Sequence, residues 1–139
     1  MASYNNLEIY RQSSDMSKEL RRSINNMPRQ YKFNIGMRII NLLSDIKYQV
    51  YLCNTRFNEE RLVEIRRLKD MLAHLKIYLE ECIEDKVLLL NTKFSIQTPL
   101  KRLNDTITQT KKWEMYTKQT LGKNNMNKNN DIPVITGNF

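Results

Sequence analysis

The feature that most constrains the fold is a stripe of apolar residues between positions 65 and 82. They recur at alternating steps of three and four: Ile65, Leu68, Leu72, Leu75, Leu79 and Cys82. Because an α-helix has about 3.6 residues per turn, this spacing places all of these side chains on one helical face. A stripe of this kind leaves water by packing against neighbouring helices. The sequence therefore predicts a bundle, with Asn58 capping this helix and Glu59 and Glu60 favouring its positive end.

Two further periodic segments precede this helix. The first runs roughly from Leu7 to Asn26 and is ended by Asn25, Asn26 and Pro28, because proline disfavours helix in the residue before it. In the second, the following residues share one predicted face: Phe33, Gly36, Ile39, Ile40, Leu43, Ile46, Val50, Cys53 and Phe57. A glycine inside a helix costs about 1 kcal/mol relative to alanine. Gly36 therefore indicates either the close approach of another helix or a glycine that is simply tolerated.

A fourth helix is predicted to begin near Thr98 and Pro99, since proline is well tolerated in the first helical turn. Its predicted inner stripe consists of Ile96, Leu100, Leu103, Ile107, Thr110, Trp113, Thr117 and Leu121. Gly122 is a typical helix terminator. Asparagine and lysine dominate the residues that follow, so we expect a helical domain at 1–122 and a flexible polar tail at 123–139.

Length and composition agree with one all-α domain. The 139 residues suit a single core, and 40% of them are hydrophobic, which is ordinary globular usage. Neither a stretch of about 18 apolar residues nor a basic start followed by an apolar core occurs. We therefore expect a cytoplasmic protein that does not enter a membrane.

Positive charge is concentrated in the C-terminal part of the chain. The net charge is +8, and residues 86–130 hold nine basic residues against two acidic ones. Such asymmetry is typical of a surface that binds phosphates or acidic protein. Trp113, Tyr116, Tyr48 and Tyr51 would add base stacking if they were exposed, although the inner-stripe position of Trp113 favours a place in the core.

The residues that catalysis and metal binding require are scarce. His74 is the one histidine, four residues after Asp70, and Cys53 and Cys82 are far apart in the sequence. This spacing favours a surface pair and two buried thiols over an active site or a zinc site. The three glycines stand alone, so no phosphate-binding loop is predicted. We therefore expect a protein without enzymatic activity, metal or cofactor.

Several motifs occur in an order that is similar to a known family. Leu-Glu-Ile-Tyr at 7–10 is followed by Met-Pro-Arg-Gln-Tyr-Lys-Phe-Asn-Ile-Gly at 27–36, by the leucine-rich helix, and by the segment 107–113 that ends in tryptophan. Over about residues 7–121 the chain resembles the accessory variability determinant (Avd) proteins of diversity-generating retroelements.

This resemblance implies an antiparallel four-helix bundle that assembles into a basic homopentameric barrel. It also implies a noncatalytic partner of a reverse transcriptase that binds RNA or DNA and supports mutagenic reverse transcription. We assign nucleic-acid binding to two basic sets, of which the second comes from the beginning of the second helix. The residues are Lys101, Arg102, Lys111, Lys112 and Lys118, and then Arg29, Lys32 and Arg38.

A second family is also similar in fold. Four-helix proteins encoded in intervening sequences of 23S ribosomal RNA share the expected architecture, but their Arg-Arg-Ala and Asn-Ile-Ala-Glu-Gly signatures are absent between Gly36 and Asn54. The alternative function is therefore a structural oligomer or protein-interaction module of that type. Its basic face would bind acidic protein, and it would have no reverse transcriptase partner.

Overall fold

The computed structural model describes residues 8–88 and 96–131, with side chains described as far as residue 123. Within these ranges the fold is all-helical and is compatible with a helical bundle. Helix α1 is Glu8–Asn25, α3 is Asn58–Glu84 and α4 is Gln97–Asp131. Helix α2 covers residues 29–55 and has three parts, namely an opening turn Arg29–Tyr31, a π-helical segment Lys32–Gly36 and an α-helix Met37–Thr55.

The predicted seam of α3 is confirmed, because all six of its residues from Ile65 to Cys82 are buried. Helix α3 packs between α2 and α4, and α1 also packs against both of these helices. Each helix contributes fully buried side chains to one continuous core, for example Leu20, Leu43, Leu72 and Leu103. Burial of a leucine or isoleucine stabilises the fold by about 1.5–3 kcal/mol, so this core supplies the main driving force for folding.

One polar pair lies inside the contact between α2 and α3. The buried Gln49 side chain donates from Nε2 to the Glu64 backbone oxygen at 2.9 Å and to Glu64 Oε1 at 3.0 Å. Arg67 Nη1 donates to the same Oε1 at 3.0 Å. These bonds replace the water that the Glu64 carboxylate loses on burial, which is a condition for keeping a charge in the interior.

Ion pairs join α4 to its two neighbours. Arg102 Nε donates to Glu19 Oε1 of α1 at 2.6 Å, and Arg102 Nη1 lies 3.8 Å from Asp15 Oδ2. On the opposite side, Glu114 accepts from Arg66 Nε at 3.0 Å and from Lys69 Nζ at 2.7 Å. The position of α4 is therefore fixed by polar contacts on both flanks of its apolar stripe.

Gly36 lies where α2 crosses the end of α1. A Cβ atom at this position would lie 3.0 Å from Ile24 Cγ2 and 3.3 Å from Met27 Sδ, so the glycine permits the close approach of α1. The same segment corrects the prediction for Phe33, which is 64% exposed and does not share the inner face. A π-helical turn contains an additional residue, which rotates Phe33 away from the core stripe of α2.

Three predictions about helix and stripe ends are wrong. Phe57 is exposed because it precedes α3 in an extended conformation. Asn58 does not cap α3 but is its first helical residue, with a φ of 55° that asparagine tolerates better than most residues.

Gly122 does not end α4, which continues to Asp131. A Cβ at Gly122 would have no neighbour within 4 Å, and an exposed helical glycine costs only about 1 kcal/mol. Residues 132–139 of the predicted tail lie outside the described residues, and the division into domain and tail stays a prediction.

Candidate nucleic-acid interface

Four of the five predicted lysines and arginines on α4 form an open basic surface. Lys101, Lys111, Lys112 and Lys118 are exposed, and within the described chain none of them forms an ion pair. At about 100° per residue, Lys101 and Lys112 project from the same side of the helix. Lys111 and Lys118 are one heptad apart and follow a neighbouring strip. These four side chains, which we call the α4 lysine surface, can bind phosphates without first breaking an ion pair.

Arg102, the fifth residue of this predicted set, faces a different way. Its side chain is 34% exposed and points towards α1, where the carboxylates of Glu19 and Asp15 partly neutralise its charge. Hydrogen bonds between ionised groups are stronger than neutral ones. Arg102 therefore contributes to the contact between α1 and α4, and it attracts an anionic ligand less strongly than its neighbour Lys101 does.

A cleft of mixed charge between α3 and α4 adjoins this surface. Lys69, Lys76 and Lys111 line it together with apolar and acidic side chains. The hydrogen bond from Lys69, and to a smaller extent that from Arg66, lowers the pKa of Glu114. This carboxylate therefore stays charged and neutralises Lys69 and Arg66. Sequence reasoning missed Lys76, although its position one heptad after Lys69 could have indicated that the two lie on the same flank of α3.

The second predicted set lies at the beginning of α2. Arg29 and Arg38 are exposed and Lys32 is half-buried, and no ion pair among the described residues includes any of the three. The sequence from Leu20 to Ser44 contains five basic residues and no acidic one. Helices α2 and α4 both pack against α1 and α3 but share no extended contact with each other. The structure therefore does not bring the two predicted basic sets together.

The aromatic side chains divide into buried and open groups. Trp113 is half-buried and packs against the core, as its place on the inner stripe predicted. Tyr116, Tyr48 and Tyr51 are exposed, and the last two stack with their ring centroids 5.9 Å apart. Phe33 is also exposed, with the guanidinium of Arg29 over its ring at 5.7 Å from the centroid. Sequence reasoning missed Phe33 as a surface residue.

The residues considered for other chemistry have different surroundings. Burial raises the pKa of Cys53 to about 12 and that of Cys82 to about 11, so both are neutral thiols near pH 7. His74 is exposed and stacks on Tyr78 at 4.4 Å between ring centroids. In the parts of the chain that the structure describes, no cluster of three or more histidine, cysteine, aspartate or glutamate residues is placed to hold a metal ion. No helix in the same ranges combines the length and apolar character needed to cross a membrane.

Comparison with known proteins adds no relative. The sequence matches no protein-family model, and no curated protein or solved structure is significantly similar to it.

Proposed function

We propose that this chain is a noncatalytic, nucleic-acid-binding accessory protein that partners a retroelement reverse transcriptase in mutagenic reverse transcription. The observation that carries the nucleic-acid part is the α4 lysine surface, four exposed cations without an ion-pair partner among the described residues. Ammonium groups bind phosphates by charge and release condensed counterions, which favours association with RNA or DNA. The reverse transcriptase part rests on the resemblance to the Avd family.

In this proposal the helices form an antiparallel four-helix bundle that assembles into a homopentamer. The antiparallel order is supported by contacts between helix ends, since Gln49 near the end of α2 bonds to Glu64 near the start of α3. Arg102 near the start of α4 likewise pairs with Glu19 near the end of α1. The pentamer follows from the resemblance, and light scattering that gives the mass of a monomer would contradict it.

The α4 lysine surface holds the backbone of an RNA or DNA strand, and Arg29, Lys32 and Arg38 provide a second contact region on α2. Arg102 belongs to the predicted set but acts mainly through its ion pairs with α1. The protein then positions the nucleic acid, and the polymerase chemistry belongs to its partner. Contacts to phosphate carry little sequence information, so the template would be selected mainly by the partner or by RNA shape.

Matched double substitutions test the nucleic-acid part. We compare Lys101→Gln/Lys112→Gln and Lys111→Gln/Lys118→Gln with Lys18→Gln/Lys86→Gln, which removes the same charge from exposed positions on α1 and after α3. Fluorescence anisotropy with duplex DNA at several salt concentrations gives the slope of log affinity against log salt. Each phosphate contact contributes about 0.9 to this slope, so each α4 double variant should lower it by about 1.8. Equal effects in all three variants would show that net charge, not this surface, governs binding.

The alternative function is a structural oligomer or protein-interaction module without a reverse transcriptase partner. The observation that favours it is the exposed and uncharged strip on α2 that includes Met37, Tyr48 and Tyr51, because apolar surface of this kind typically contacts protein. Titration with RNA, DNA and polyglutamate separates the two functions. Binding of polyglutamate alone would support the alternative. Co-purification of this protein with a reverse transcriptase encoded by a neighbouring gene would support the main proposal.

A further inference from the structure

A cluster of basic and aromatic side chains at the beginning of α2 has properties that the α4 lysine surface lacks. Its members are Arg29, Lys32, Phe33 and Arg38, which we call the Phe33 cluster. The π-helical segment turns the Phe33 ring outward, so that the residue is 64% exposed, and the Arg29 guanidinium lies over the ring. An exposed ring with a guanidinium over it and further basic residues nearby in the sequence contributes little to the core, but it suits a ligand that is both flat and anionic.

All charged residues near Phe33 in the sequence are basic. No acidic residue occurs between Leu20 and Ser44, and none of the ion pairs of the described chain uses a cation of the cluster. The acidic end of α3, which includes Glu81 and Asp85, forms no ion pair with it either. The cluster therefore keeps its positive charge for an incoming ligand.

We infer that the Phe33 cluster binds single-stranded nucleic acid by stacking an unpaired base on the face of the Phe33 ring opposite the Arg29 guanidinium, while Arg29, Lys32 and Arg38 contact the adjoining phosphates. In a duplex the faces of each base are covered by its neighbours, so an exposed phenyl ring gains contact only with unpaired bases. The α4 lysine surface contacts phosphates, which both forms display. This inference rests on the proposed nucleic-acid binding and adds a preference for single strands.

The experiment uses one fluorescein-labelled oligo(dT), either alone or annealed to oligo(dA), with the full chain. Phe33→Ala should weaken binding of the single strand by about 5- to 150-fold, the range for loss of one base–aromatic stack. Affinity for the duplex should change less than twofold. Phe33→Tyr keeps an aromatic ring and should retain the preference for the single strand.

Phe57→Ala is the matched control. Phe57 is 60% exposed and has the Arg61 guanidinium 5.8 Å from its ring centroid, but the acidic residues Glu59 and Glu60 follow it in the sequence. Its replacement should change binding of strand and duplex less than twofold. Arg29→Gln should lower the salt slope on the single strand by about 0.7, the loss of one phosphate contact. Each variant should unfold at the same temperature as the wild type, because both rings are largely outside the core. A loss of binding is then a local effect and not a result of unfolding.

Four outcomes decide the matter. Selective loss of single-strand affinity in Phe33→Ala supports the inference. Equal loss on strand and duplex, or no loss, overturns it and leaves the proposed function intact. If Phe33→Ala loses binding to polyglutamate while its binding to DNA is unchanged, the ligand of the Phe33 cluster is an acidic protein, and the inference is also overturned. A wild-type protein that binds neither DNA form at low salt refutes the proposed function itself.

Discussion

Lys101 and Arg102 are neighbours in the sequence, but α4 places them in two different regions of the molecule. The outward region carries Lys101 and Lys112, which are exposed and have no ion-pair partner among the described residues. The inward region carries Leu103 in the core and Arg102 in its ion pairs with α1. Each region contains a basic residue, so the difference shows that a cation is available for ligand binding only where no carboxylate of the fold pairs with it.

The inward region of α4 is also unusually polar for a helix face in a core. Thr106 and Thr110 are fully buried, and their hydroxyl groups donate to the backbone oxygens of Arg102 and Thr106 at 2.7 Å. These bonds satisfy each hydroxyl within its own helix. The comparison therefore predicts that inward substitutions change stability and leave binding unchanged, while outward substitutions do the reverse.

The largest effect is expected for Leu103→Ala, which removes a fully buried side chain from α4. Loss of a buried leucine lowers the free energy of unfolding by about 2–5 kcal/mol, measured by urea denaturation and circular dichroism. Nucleic-acid affinity of the folded variant should be unchanged. Met115→Ala, at an exposed position of the same helix, should change stability by less than about 0.5 kcal/mol. Similar losses in the two variants would remove the distinction between the regions.

A smaller effect is expected at the boundary itself. Arg102→Gln breaks a partly exposed ion pair and should lower the free energy of unfolding by about 1 kcal/mol, with little effect on nucleic-acid affinity. Lys101→Gln should leave stability within about 0.5 kcal/mol and lower the salt slope on duplex DNA by about 0.9. If Arg102→Gln proved the more damaging for DNA binding, Arg102 would belong to the outward region in function.

The smallest effect concerns pH and the other flank of α4. Hydrogen bonds from Lys69 and then Arg66 lower the pKa of Glu114 below its ordinary value of 4.5. At a pH between the two pKa values the unfolded chain binds more protons than the folded chain. The stabilisation of the fold by the ionised Glu114 carboxylate is therefore complete above the ordinary pKa of 4.5, and it is lost as the pH falls through the lowered pKa of the folded state. We expect it to amount to less than about 1 kcal/mol because the pair is partly exposed.

Comparing urea denaturation of wild type and Glu114→Gln at neutral and acidic pH measures this contribution. The stability difference between the two proteins should shrink as the pH falls. A difference that is constant with pH would show that Glu114 acts through packing rather than charge.

Much of the fold could be predicted from the sequence because periodicity alone decides which face of a regular helix is buried. The seam of α3 is the clearest case, since every step from Ile65 to Cys82 is three or four residues and every one of these side chains is buried. The same rule failed at Phe33, where a π-helical turn shifts the phase, and no residue type in the segment announces that turn.

The candidate site was less predictable for a related reason. Exposure of Lys101 follows from its place outside the stripe, but the ion pairs of Arg102 depend on Asp15 and Glu19, more than eighty residues earlier in the chain. Lys76 could not be connected with Lys111 before the packing of α3 on α4 was known. Local pattern therefore identifies which cations leave the core, and tertiary contacts decide which of them remain available.

The hydrogen-bonded pair of Gln49 and Glu64 also determines how the helices can be aligned. Apolar seams repeat every three or four residues, so α3 sliding along α2 by one turn would still place apolar side chains against apolar side chains. The slipped arrangement would instead separate the Glu64 carboxylate from the Gln49 amide, and the loss of a hydrogen bond to a charged group costs about 1.5–3 kcal/mol. The pair thus selects one alignment out of several that hydrophobic contact alone would permit, and it does so with two side chains that add little to the size of the core.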